Sequence, residues 1–197
     1  IAGNLYFAGF SQHLDGSALQ ITGFIFFVAG IGFKISAVPF HLWTADVYEG
    51  APVNITSYLS VISKGAAVFI ATILFMQVFQ SMADVWERIL YALAIATMSI
   101  GNLFAIRQQN LKRFLAFSSI AQAGYILIAV PALTDDAISG AIAHTLVHAF
   151  MKGGAFIIVA GVGAAGLGYS MESYKGLAQR SQLLALSMTV CLLSLVG

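Results

Sequence analysis

The chain has 197 residues, 59% of them hydrophobic and only 9% charged, where an ordinary soluble domain carries about 25% charged residues. Nine basic and eight acidic residues, with a mean hydropathy of +0.90, describe a protein whose solvent is mostly lipid. A net charge of +1 excludes the basic stripe that a nucleic-acid partner requires, and the single Cys191 excludes an internal disulfide or a CxxC site.

In chain order, residues 1–10 read as the tail of a helix that began upstream. Six hydrophobic stretches follow, at about 19–43, 52–79, 86–106, 112–132, 137–167 and 183–197. The links between them are short and polar: DVYEGAP, QSMADVWE, RQQNLKR, LTDD and GYSMESYKGLAQRSQ, with SQHLDGS before the first. Segments this long and apolar must satisfy their backbone internally, and no barrel-type alternation is visible. The sequence therefore predicts an all-α, polytopic transmembrane bundle, a single membrane domain over 1–197. No basic residue precedes the first apolar stretch, so no cleavable signal peptide is expected. The opening at Ile1 and the end at Gly197, inside an apolar run, read as the middle of a longer chain.

Charge placement sets a topology. Arg107, Lys112 and Arg113 fall in one link and Lys175 with Arg180 in the next but one. The alternate links hold Asp15, then Asp84, Glu87 and Arg88, then Asp135 and Asp136. Five basic residues lie on one side against one on the other, which marks the first side as cytoplasmic or its equivalent. The link with Asp46 and Glu49 falls on that same side.

All eight acidic residues lie in links or at helix ends, but three lysines do not: Lys34, Lys64 and Lys152. A charge at mid-bilayer costs a few kcal/mol on the gentlest scale, so such residues face protein or water and mark a transport path. Snorkelling is the bland rival; Lys64 lies roughly 18 Å along its helix from Pro52, too deep for it. Pro39 follows Lys34 by five residues in GFKISAVPFHLW. Proline cannot bond back to the Ile35 carbonyl and opens that turn, which predicts a broken helix of the kind that builds ion sites. An ordinary kink is the alternative.

His144, His148 and Lys152 recur every four residues and share one helix face. Imidazoles titrate near neutrality, so three such groups along about 12 Å can pass a proton by way of water. Two histidines at this spacing also suit a metal or haem, and interhelical hydrogen bonding is a further reading. Gly161, Gly163 and Gly166 spell GxGxxG, but no strand precedes them, so close helix packing is expected and no nucleotide site. The chain therefore offers no nucleotide, flavin or iron–sulfur site.

GFKISAVPFHLWTADVYEGAP at 32–52 strongly resembles the antiporter-like N subunit of proton-pumping NADH:quinone oxidoreductase, respiratory complex I. NLKRFLAFSSIAQAGY at 110–125, HTLVHAFMKGGAFI at 144–157 and YKGLAQR at 174–180 resemble the same family. Related antiporter subunits share a PFHxW core, yet HLWTADVYEGAP followed by SKGAA favours the N type; Ala45 departs from the usual proline. The resemblance implies an antiporter-like fold of inverted repeats with a proline-broken helix, in a prokaryotic plasma membrane or an equivalent energy-conserving membrane. It implies that Lys34 and Lys64 lie on a central proton axis, and His144, His148 and Lys152 are expected to carry the proton onward. A glutamate paired with Lys34 is expected upstream of Ile1, and a further lysine in a broken helix beyond Gly197. No cofactor is expected in this chain; the quinone and redox centres belong on partner subunits. Those partners are the other membrane and peripheral subunits, including other antiporter-like ones. A cation/proton antiporter subunit without redox coupling is the rival within transport. A structural membrane scaffold, its lysines fixing helix register, is the rival of another class.

Overall fold

The computed structural model describes Leu14 and residues 16–195, in which the regular elements are helices joined by turns and one isolated bridge, Asn110 to Ser170. The tail at 1–10 and Asp15 lie outside them. Helix α1 (Ala18–Ile35) takes most of the first hydrophobic stretch, and α2 (Leu42–Gly50) begins at its end and runs through the link expected after it. Helix α3 spans Val53–Gln77, α4 Ala83–Ile106, α5 Leu111–Leu127, α6 Asp135–Ala164 and α7 Gln182–Ser194. Among the described residues, five spans are long and apolar enough to cross a membrane, with α5 counted through the 3₁₀ turn that ends at Ala132. The sixth stretch forms α7, a shorter apolar helix of 13 residues.

Helix starts follow their sequence signals. Asn110 caps α5 by accepting from the Lys112 and Arg113 amides, and Thr134 caps α6 by accepting from Ala137. Asp84 sits in the first turn of α4, and Asp135 and Asp136 in that of α6, where the positive end of the helix dipole favours them.

The break in the first stretch falls at 36–41. Helix α1 ends at Ile35, and Ser36 turns left-handed at φ 65°. The Val38–Pro39 peptide is cis. The Ala37 amide returns to the Gly32 carbonyl at 2.8 Å, and the Val38 amide finds the Thr97 hydroxyl of α4 at 3.0 Å. Phe40 folds onto Gly32, where a Cβ would stand 2.7 Å from the ring. The opened turn that Pro39 predicts is therefore present, with its backbone re-satisfied by neighbours.

Helix α5 is the centre of the bundle: 13 of its 17 residues are buried. It lies so close to α4 that a Cβ on Gly101 would sit 2.7 Å from the Ala121 amide nitrogen. One on Gly124 would sit 2.8 Å from that of Met98. Small residues permit this approach, as membrane helix pairs require. Two apolar cores result. One holds Phe24, Phe75, Phe79, Trp86 and Val130; the other holds Tyr48, Leu115, Ile120, Phe156 and Val159.

The glycine motif at 161–166 is partly a packing device. Gly163 meets the Tyr169 ring, with 2.6 Å left for a Cβ, whereas Gly161 faces open space and Gly166 turns left-handed after α6.

The links assigned to one side do gather at one end. Leu111 donates to the Tyr169 carbonyl and Met171 to that of Gln109, both at 2.8 Å. Arg113 Nη1 reaches Asp46 and Glu49, each at 2.7 Å. Lys112 behaves differently from a link charge. It is only 3% exposed, and its Nζ donates to the Glu49 and Ala51 carbonyls at 2.7 and 2.6 Å, closing the end of α2.

Candidate functional site

The site is built where α3, α5 and α6 meet. Residues Leu59–Ser63 of α3 wind as a π turn, and Lys64 follows it directly. Such turns insert one residue into a helix and recur at functional positions. Lys64 is 3% exposed; its Nζ donates to the Ser119 carbonyl at 3.1 Å and to the Ser119 hydroxyl at 2.9 Å. Ser60, in the π turn, lies 3.3 Å from the same hydroxyl. The hydroxyl of fully buried Tyr48, on α2, lies beside both serines.

Lys152 of α6 is completely buried and donates to the Leu115 carbonyl at 2.9 Å. Leu115 and Ser119 are one turn apart on α5, so both lysines are anchored on the same helix, about 6 Å apart along its axis. Buried His148 lies within electrostatic range of both, and its Nε2 has no hydrogen-bond partner among the described residues. His144 stands one turn further along α6, half-buried, with Nε2 2.6 Å from Gln122 Oε1. Gln122 in turn donates to the Leu195 carbonyl at 2.9 Å and lines a cavity of about 460 Å³ with Asn102, Ser118 and Tyr125.

No carboxylate pairs with Lys64 or Lys152 among the described residues; the ion pairs there join Arg113 to Asp46 and Glu49, and Lys175 to Glu172. Each buried ammonium rests on neutral acceptors alone. That arrangement is costly, since the effective penalty for burying an ion is several kcal/mol. It suits a group that must take up and release a proton, because ammonium only donates whereas amine and imidazole also accept. Among the described residues, no three of His, Cys, Asp and Glu gather as a metal site would need.

Lys64, His148 and Lys152 thus come together, with His144 adjacent through α6. Lys34 does not join them: its side chain is exposed on α1, two residues before the break, and bonds none of the described residues.

Residues 1–197, the whole chain, match the family described as NADH:quinone oxidoreductase/Mrp antiporter, transmembrane. The chain belongs to that family. It is 46% identical over its full length to NADH-quinone oxidoreductase subunit N of Phocaeicola vulgatus, covering 42% of that protein. It is 45% identical to NAD(P)H-quinone oxidoreductase subunit 2 of a Picosynechococcus species, with 96% of the chain and 36% of the relative aligned. Among solved structures, a chain of respiratory complex I from Thermus thermophilus superposes with a TM-score of 0.71 at 32% identity. That match covers 86% of this chain and 36% of the other. A chain of the Mrp complex from Dietzia gives a TM-score of 0.83 over 99% of this chain and 36% of its own. Its 22% identity speaks for the fold alone. The chain spans about two-fifths of the curated relatives it matches. The antiporter-like, all-helical, multi-pass membrane architecture expected from the sequence is thereby established.

Several residues of the site carry no signal in the sequence. Tyr48, Ser60 and Ser119 are ordinary until the fold joins them around Lys64, and Gln122 reads as a stray polar residue on an apolar helix. His41 sits in the helix break, 6% exposed, with neither ring nitrogen hydrogen-bonded among the described residues. Its sequence marks are its place two residues after Pro39 and in the PFHxW core.

Proposed function

We propose that this chain is part of a proton-translocating membrane subunit of a quinone-reducing respiratory complex, a non-redox subunit of its translocase. The observation that carries this reading is the pair of buried lysines, Lys64 and Lys152, anchored one turn apart on α5 without a carboxylate among the described residues. The two lysines interact electrostatically, so a proton arriving on one bears on the other. His148, in range of both, offers a ring nitrogen unpartnered among the described residues to a bridging water. His144 and Gln122 extend the polar line toward α7.

Lys34 enters from the other side of the break, acting with a carboxylate supplied by another part of the full protein. Redox centres and quinone lie on partner subunits, whose electron transfer drives the movement. The relatives' names support this assignment, since both describe quinone oxidoreductase subunits.

The test is proton uptake by vesicles carrying the whole complex, with electron transfer followed in parallel. Lys64→Met, Lys152→Met and Lys34→Ala are expected to assemble and to lose most pumping. If all three pump as many protons per electron as wild type, the lysines fix helix register only and the transport reading is lost.

A further inference from the structure

Lys64 is joined by a short chain of hydroxyls to the half-helix beyond the break. Its ammonium can only donate, and it donates to the Ser119 hydroxyl at 2.9 Å. Ser60 is placed to donate to the same oxygen at 3.3 Å, so the Ser119 proton is directed away from Lys64, with the Tyr48 hydroxyl among its neighbours. Tyr48 completes the group, its hydroxyl beside both serines and without exposed surface. When Lys64 has given up its proton, the amine becomes an acceptor and the Ser119 proton can turn back toward it. The hydrogen-bond order of the hydroxyls can then reverse, with no covalent change.

The elements carrying these hydroxyls differ in kind. Ser119 lies on the central helix α5, and Ser60 in the π turn, the locally unusual stretch of α3. Tyr48 lies in the last turn of α2, whose end is held by Lys112 and whose start leaves the break at 36–41. Both the lysine and the half-helix therefore touch the same three-hydroxyl group.

We propose that Tyr48 is a positioning residue whose hydroxyl couples the protonation state of Lys64 to half-helix α2 through Ser60 and Ser119. This rests on the transport reading above. Tyr48 moves no proton across the membrane itself; it sets the hydrogen-bond order around the group that does. The ring has a separate structural task, packing edge-on against Phe156 at 6.3 Å between centroids.

Tyr48→Phe separates the two roles, since it removes the hydroxyl and keeps the ring. In the assembled complex it is expected to leave subunit content unchanged and to lower protons pumped per electron several-fold. The pH profile of pumping is expected to move with it. The titratable groups facing Lys64 are Tyr48 from α2 and His148 and Lys152 from α6, so the same profile is read in His148→Gln to separate their effects. Ser119→Ala, which removes the hydroxyl at the other end of the chain, is expected to reproduce the Tyr48→Phe profile. It should add little to the effect in the double variant, as members of one network do. Should Tyr48→Phe lower assembly, Ser119→Ala alone carries the test. The proposal is overturned if the assembled variants pump with the wild-type ratio and pH profile while Lys64→Met is defective. If Lys64→Met also pumps normally, the transport reading falls with it.

Discussion

Removing Lys112 is expected to loosen the end of half-helix α2 far more than removing the neighbouring Arg113, although Arg113 makes the ion pairs. Arg113 Nη1 reaches two carboxylates at 2.7 Å, but its side chain is 32% exposed and those of Asp46 and Glu49 are 74% and 41% exposed. Exposed pairs of this kind contribute about 0–1 kcal/mol. Lys112 is 3% exposed and donates to the Glu49 and Ala51 carbonyls while lying 4.8 Å over the Tyr169 ring. Each hydrogen bond from a charged donor contributes about 1.5–3 kcal/mol, and each buried carbonyl left unpaired costs about 1–3 kcal/mol. Lys112→Met keeps the stem and relieves the burial of a charge, which offsets part of the loss. The net expectation is about 2–4 kcal/mol of local destabilisation for Lys112→Met and about 1 kcal/mol or less for Arg113→Met. Hydrogen exchange on the purified complex reads both through the backbone amides of Leu42–Gly50. Protection there should fall about thirtyfold or more in the first variant and less than about tenfold in the second, by the conversion of 1.4 kcal/mol per decade. Equal losses in the two, or a larger loss for Arg113→Met, would refute the ranking of buried over exposed charge.

Other outcomes follow from the same geometry. Gly101→Ala places a Cβ 2.7 Å from the Ala121 amide nitrogen, and should destabilise the α4–α5 contact by about 1–3 kcal/mol, seen as a lower melting temperature of the purified complex. Gly140→Ala, in α6 with nothing within 4 Å, should be neutral or stabilising by up to about 1 kcal/mol in the same assay. Trp86→Phe loses the 2.7 Å bond from Nε1 to the Phe79 carbonyl inside the aromatic core, and should cost about 1–3 kcal/mol of melting stability.

The spans were legible because lipid imposes one strong requirement, an apolar helix that bonds to itself, and composition records it directly. The break was legible for a related reason. Pro39 lacks an amide proton, so the turn that should bond to Ile35 fails wherever the side chains point. Lys64 and Lys152 stood out by depth alone, and the fold buries both. Depth did not reveal direction. Lys34 is as deep in its span as they are, yet its face of α1 is exposed among the described residues. Lys112 is the converse case: the sequence counts it among the topogenic charges of a basic link, and the fold uses it as a buried cap. Neither outcome is encoded in a residue's own neighbourhood, because each depends on which helix lies opposite.

The acceptors of the site were illegible for a deeper reason. Leu115 and Ser119 hold the two lysines through main-chain oxygens, and every residue has one. An α5 that is buried on nearly all sides presents carbonyls to α3 and α6 alike. Those carbonyls already serve the helix, so each ammonium takes a second lone pair and adds no carboxylate to bind the charge firmly. A carboxylate at Ser119 would be easy to read in a sequence, but it would also anchor Lys64 as a fixed ion pair. The neutral anchor keeps the proton exchangeable. On this account Ser119→Asp, which puts a carboxylate beside the Lys64 ammonium, should preserve or raise the stability of the assembled complex while abolishing pumping. Proton uptake and melting temperature, measured on one preparation, check both halves. A Ser119→Asp complex that pumps normally would show that firm pairing is no obstacle, and that the absence of a counter-charge beside Lys64 has no part in transport.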